Sequence, residues 1–200
     1  FPQNSYCQRC ERALSTFDTR HRMVTSVLYD LPFGKGRNMN IENKFADAVF
    51  GGWQVSSIVT MSTGFPITVY SGSDRSNTGA GFDRPNTNAG VDPNLSNRDP
   101  QRWYNLAAYS VQPAGTFGNV GRNTLISPSI FSWDFSSLKN FNLGYAEGHT
   151  LQFRFEAFNL PNHPNWGNPN TTVGDPNNFG TITGTRGNML GADVLDAGHF

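Results

Sequence analysis

Apolar and polar positions alternate most cleanly between Leu151 and Ala157. Leu151, Phe153, Phe155 and Ala157 fall on one side; Gln152, Arg154 and Glu156 fall on the other. A period of two predicts a β-strand with one apolar and one polar face. The same period recurs upstream. Met23, Thr25, Val27, Tyr29 and Leu31 alternate with Arg22, Val24, Ser26, Leu28 and Asp30, which predicts a strand over about 21–31. Trp53, Val55, Ser57, Val59 and Met61 alternate with Gln54, Ser56, Ile58, Thr60 and Ser62. Trp133, Phe135, Phe141 and Leu143 oppose Asp134, Ser136, Asn140 and Asn142, and Lys139 breaks the apolar side.

Punctuation residues set the connections. Pro32 and Gly34-Lys35-Gly36 stop the first strand. Ile41, Phe45, Ala48 and Val49 recur near helical spacing, so 41–50 reads as a short helix or turn ended by Gly51-Gly52. Thr63-Gly64-Phe65-Pro66 makes a turn, and Ile67–Tyr70 leads out, which predicts a hairpin over 53–70. Residues 131–159 form the best-written hairpin. Residues 71–102 read as one long loop of Asn, Gly, Asp and Pro, 103–111 as a short strand, and 179–183 as a weak one. The last fourteen residues show no alternation. The expected fold is all-β, with antiparallel strands and hairpins of a partial β-barrel and long Asn/Gly-rich loops. The expected organisation is an irregular polar lead-in over 1–20, a barrel-like region over 21–187 and an atypical tail over 188–200.

Composition changes this picture in one respect. Charged residues are only 15% of the 200, and polarity comes instead from Asn, Ser, Thr and Gly, with 22 Asn and 21 Gly. Sixteen Phe raise the aromatic share to 13%. Disordered chains lack aromatics, so this is β-structure with ordered polar loops. Fifteen basic residues balance fifteen acidic ones, which gives no electrostatic footprint for nucleic acid. No apolar run reaches the length of a membrane-spanning helix, but barrel strands are short and weak in hydropathy. A two-faced strand suits a barrel wall between lipid and water, and it equally suits one face of a soluble sandwich.

Candidate chemistry is sparse. Cys7 and Cys10 form one C-x-x-C with no second pair for zinc, leaving a local disulfide or two thiols. Asp18 and His21 are spaced D-x-x-H; His149, His163 and His199 are scattered, and His163 sits in the rigid turn P-N-H-P-N. Asp74, Asp83, Asp92 and Asp99 lie in the long loop, where oxygen-rich segments can bind Ca²⁺, but their spacing is not that of an EF-hand. No cofactor is expected. Asp74, Asp83, Arg84, Asp92 and Trp103 are the expected ligand-facing loop residues, for a small molecule, sugar or peptide. For Trp103 the alternative is packing at the loop base or a place in an interfacial girdle.

An ordered set of segments carries a resemblance. It comprises F-D-T-R-H-R at 17–22, Y-D-L-P-F-G-K-G at 29–36, G-G-W-Q-V-S at 51–56 and S-T-G-F-P-I-T-V at 62–69. It continues with D-R-P-N at 83–86, R-W-Y-N-L-A-A-Y at 102–109 and G-T-F-G-N-V-G-R-N at 115–123. W-D-F-S at 133–136, L-K-N-F at 138–141, L-Q-F-R-F-E-A-F-N-L-P-N-H-P-N-W at 151–166 and F-G-T-I-T-G-T-R-G at 179–187 complete it. In this order they resemble the C-terminal barrel region of TonB-dependent receptor-like, Oar-like outer-membrane proteins. The resemblance implies an antiparallel barrel in the bacterial outer membrane, membrane lipid as a partner, and substrate uptake or surface binding as the parent role. Six or seven strands are fewer than the family barrel has, so the chain reads as a segment of one. The tail to Phe200 does not alternate as the family's closing strand does. The competing expectation is a soluble all-β hydrolase, of esterase or lactonase type, using loop His and Asp residues.

Overall fold

The computed structural model describes residues 2–79, 81, 83–142 and 149–186. In chain order the elements are β1 (Arg22–Asp30), α1 (Lys44–Phe50), β2 (Trp53–Ser62), β3 (Pro66–Ile67), β4 (Asn86–Thr87), β5 (Asn94–Asp99), β6 (Arg102–Tyr104), β7 (Tyr109–Ser110), β8 (Leu125–Ile126), β9 (Ile130–Asn142) and β10 (Thr150–Ala157). Single 3₁₀ turns lie at Gln8–Glu11 and Leu106–Ala108. The chain divides into two compact units. A sheet unit takes residues 22–62 and 131–163; a loop unit takes residues 1–21, 63–130 and 164–200.

The sheet unit is a four-stranded sheet in the order β1-β2-β9-β10. β1 pairs antiparallel with β2 from Arg22 opposite Ser62 to Asp30 opposite Gln54. β9 and β10 pair antiparallel from Asn142 opposite Thr150 to Phe135 opposite Ala157. Trp133 Nε1 donates to Ser57 Oγ at 2.9 Å, and the Lys139 ammonium lies 5.8 Å from the centre of the Trp53 ring. Rising numbers on β9 thus meet falling numbers on β2, so all neighbours are antiparallel. Alternation predicts β1, β2 and the 131–159 hairpin, and of the short helix or turn expected over 41–50 it is the helix that forms, as α1. The hairpin expected over 53–70 does not form. β2 lies between β1 and β9, and the turn at Gly64 instead sends the chain to β3, which pairs with β8.

Between β1 and β2, Asn43 caps α1 with its side-chain oxygen, accepting from the N–H groups of Phe45 at 2.9 Å and Ala46 at 3.2 Å. The Asp47 carboxylate accepts from the Lys35 N–H at 2.9 Å, which ties the helix to the Gly34-Lys35-Gly36 turn.

The loop unit has a core of its own. Val69, Tyr104, Ala108, Tyr109, Val120, Leu125, Val173 and Phe179 form one buried cluster. Three two-residue or slightly longer ladders surround it: β3–β8, β4–β7 and β5–β6. Side chains bonded to distant backbone and to one another complete the unit. Thr68 Oγ1 donates to Asn123 Oδ1 at 2.7 Å, Ser71 Oγ to Gln112 Oε1 at 2.6 Å, and the Tyr104 hydroxyl to the Ile126 carbonyl at 2.7 Å. The segment 71–102, expected as one structureless loop, therefore contains β4 and β5 and is packed. The strand expected over 179–183 is absent: Phe179 instead reaches the core from a turn, its N–H on the Asp175 carbonyl at 3.0 Å. The expected atypical tail over 188–200 lies outside the described residues, as do positions 143–148 of the expected 131–159 hairpin and His199.

Gly118 shows how closely these segments approach. A Cβ there would stand 1.9 Å from the Arg84 carbonyl oxygen. Gly118→Ala must push two backbones apart, and overpacking of this kind costs about 1–3 kcal/mol. The loss should appear as a lower unfolding midpoint; an unchanged midpoint would show that the contact yields freely.

Candidate functional site

Because strand partners share a face, the registers assign every strand residue to one of two surfaces. The odd-numbered surface carries Met23, Val27, Tyr29, Trp53, Val55, Val59, Met61, Trp133, Phe135, Phe141, Leu151, Phe153 and Phe155. It is apolar except for Thr25, Ser57, Ser137 and Lys139. The even-numbered surface carries Gln54, Ser56, Thr60, Asp134, Ser136, Asn140, Gln152, Arg154 and Glu156, with Val24, Leu28, Ile58 and Leu138 among them. Arg154 and Glu156 form an ion pair on that surface. On the apolar surface Phe153 is 52% exposed and Phe155 51%. A water-soluble sheet would cover such rings, whereas a barrel wall offers them to lipid.

The apolar surface is also graded along the strands. Tyr29, Trp53 and Phe141 lie toward one end, and Trp133 toward the other. Trp133 and Lys139, six positions apart on β9, are separated by about 20 Å along an antiparallel strand. On a strand tilted about 40° that length crosses about 15 Å of the membrane, part of the height of an outer-membrane barrel's apolar band of about 25 Å.

Among the described residues Lys139 is the one cation on the apolar surface, and it is only 4% exposed. Its ammonium donates to the carbonyls of Ala48 at 2.6 Å and Asp47 at 3.2 Å in the last turn of α1. It also lies 4.9 Å from the centre of the Phe141 ring. Carbonyls at a helix C-terminus carry partial negative charge, and aromatic faces attract cations. The sequence marked Lys139 only as a break in the alternation; its partners lie in another connection and could not be read.

The loop unit places the expected ligand-facing residues as follows. Asp83 and Arg84 are buried, at 1% and 3% exposure. Asp83 accepts from the Ser76 N–H at 2.6 Å and the Ser76 hydroxyl at 2.9 Å. The Arg84 guanidinium grips Glu11 with two parallel bonds of 2.8 and 2.7 Å, and Gln3 Oε1 accepts from its Nε at 3.1 Å. Burial opposes the Glu11 charge, but the hydrogen bonds and charge of Arg84 prevail and hold its carboxyl below the ordinary value. Neither Glu11 nor Gln3 had been singled out in the sequence.

Asp74 accepts from the Gly79 N–H at 2.7 Å, the Thr78 N–H at 3.1 Å and the Ser76 hydroxyl at 3.2 Å. These donors, the Gly79 N–H foremost, lower its carboxyl pKa. Asp92 accepts from the Asn94 N–H at 2.8 Å, and Asp99 from the Gln101 N–H at 2.7 Å. Ser76 thus joins Asp74 to Asp83, while Asp92 and Asp99 cap separate turns. No group of three or more His, Cys, Asp or Glu side chains suited to a metal ion occurs among the described residues. Trp103 packs against the core cluster, with the Arg98 guanidinium 5.8 Å from its ring centre. Burial pushes the Tyr109 hydroxyl up to about 12 and the Tyr104 hydroxyl higher still. Cys7 and Cys10 form a disulfide. His163 packs edge-on against Phe131, and its backbone N–H donates to Asn159 Oδ1 at 3.1 Å.

Comparison with known proteins agrees with the two-faced sheet. A family model described as an outer membrane beta barrel domain matches residues 1–189. No curated protein and no solved structure matches the chain.

Proposed function

The chain belongs to the outer membrane beta barrel domain family, and from that premise we propose that it forms part of the wall of a TonB-dependent receptor-like barrel serving substrate uptake or surface binding. Family membership places the protein in the bacterial outer membrane. The two-faced sheet carries the reading: Trp53, Phe135, Phe153 and Phe155 face lipid, and Gln152, Arg154 and Glu156 face the lumen. The receptor role draws on the ordered segments from Phe17 to Gly187 that resemble Oar-like receptors.

The connections suggest which side is which. Barrels have short turns on the periplasmic side and longer loops outside. The link from β2 to β9, residues 63–129, is far longer than the links over 31–52 and 143–149. The end of the sheet carrying α1 and Lys139 is therefore periplasmic, and residues 63–129 emerge outside, where they meet cargo. Cells producing the protein should bind or accumulate members of a panel of oligosaccharides and short peptides. A form lacking residues 64–129 should lose that binding while still fractionating with the outer membrane. Equal binding by both forms would remove the cargo role from this segment; absence from the outer membrane would remove the barrel reading.

A further inference from the structure

The connection from β1 to β2 does more than turn the chain. It folds beside one end of the apolar surface and borders an open cavity of about 570 Å³ lined by Leu31, Phe33, Ile41, Phe50, Trp53 and Val55, with Ser137 as the polar residue. Trp53, Val55 and Ser137 all belong to the apolar surface of the sheet, so the cavity continues the lipid-facing surface. α1 roofs this end and is held there by Lys139, which bonds its last carbonyls. The helix turns other apolar side chains outward: Phe45 is 80% exposed and Val49 43%. Such side chains beside a membrane wall belong in the headgroup and upper acyl region.

We infer that this cavity holds one acyl chain of an inner-leaflet phospholipid, with α1 lying in the interface as its roof. The inference rests on the lipid-facing reading of the sheet. Phospholipid is favoured because the cavity adjoins the periplasmic end, and its lining is almost wholly hydrocarbon. The fixed Lys139 keeps the roof in place: with both carbonyl partners on α1, lifting the helix would strand a charge on an apolar surface.

Quenching of tryptophan by brominated lipid tests this. The full chain is reconstituted in vesicles of dioleoylphosphatidylcholine or its dibrominated form. One variant keeps only Trp53 (Trp103→Phe, Trp133→Phe, Trp166→Phe); a second keeps only Trp133 (Trp53→Phe, Trp103→Phe, Trp166→Phe). Both should be quenched. Filling the cavity with Ser137→Phe, or from its other wall with Val55→Phe, should remove most of the quenching at Trp53 and leave that at Trp133 unchanged. Quenching of Trp133 without Trp53 overturns the acyl-chain site alone. So does Trp53 quenching that survives both filling variants, since it then comes from lipid outside the cavity. Failure to quench Trp133 overturns the lipid-facing reading itself, and the site with it.

Discussion

Glu11→Ala should destabilise the loop unit by about 3–5 kcal/mol, the range for removing one partner of a buried ion pair. The substitution leaves the Arg84 guanidinium, 3% exposed, with Gln3 as its remaining side-chain acceptor. Replacing both partners by apolar residues should cost much less, because no charge is then stranded. Acid should imitate the single substitution. The Glu11 carboxyl titrates below its ordinary value of 4.5, so its contribution is complete above that pH. It is lost as pH falls through the lower folded-state value. Urea unfolding of the detergent-solubilised protein at neutral and acid pH measures both effects. A loss under about 1 kcal/mol for Glu11→Ala, the range of exposed pairs, would refute the buried-clasp account. Equal acid sensitivity in Glu11→Ala and the parent would show that the acid response lies in other carboxylates.

Phe155→Arg should cost about 2–4 kcal/mol in a bilayer, while Gln152→Arg should be close to neutral. Phe155 sits opposite Ser137, between the levels of Trp133 and Lys139, near the middle of the apolar band. Gln152 projects from the same strand to the other surface, beside Asn140, to which its side chain donates at 3.0 Å. Strand, edge position and introduced group are shared; the two sites differ in the face they occupy and, by three residues, in depth. Reversible unfolding from lipid vesicles provides the measurement. Equal costs would mean that both faces see water, which would sink the barrel-wall assignment.

The sheet was legible because its signal is local and periodic. Side chains two apart along one strand share a face, so the alternation from Leu151 to Ala157 shows where both faces lie before any partner is known. The 53–70 hairpin failed because the turn at Gly64 names a change of direction without naming the partner. The loop unit was illegible for a different reason. Its order comes from single bonds between distant positions, such as Gln3 to Arg84, Thr68 to Asn123 and Asn88 to Ser110. No period marks such pairs, and a strand of two residues leaves none. Asp74, Asp83 and Arg84 were therefore noticed as charged loop residues, but their engagement with Ser76, Gly79 and Glu11 could not be seen. The abundance of Asn and Asp was the available clue, since these side chains bond backbone in turns.

The loop unit's core has a consequence for the order of events during synthesis. Val69, Tyr104 and Leu125 precede β9, whereas Val173 and Phe179 follow β10. The cluster cannot close until nearly the whole segment has left the ribosome. Contacts this far apart in sequence make for slow folding, because long stretches of chain must be ordered before they are rewarded. The β9–β10 hairpin, with its partners close in sequence, has no such wait. Until Val173 and Phe179 are available, the loop unit therefore leaves apolar residues such as Val69, Tyr104 and Leu125 uncovered, a state open to aggregation.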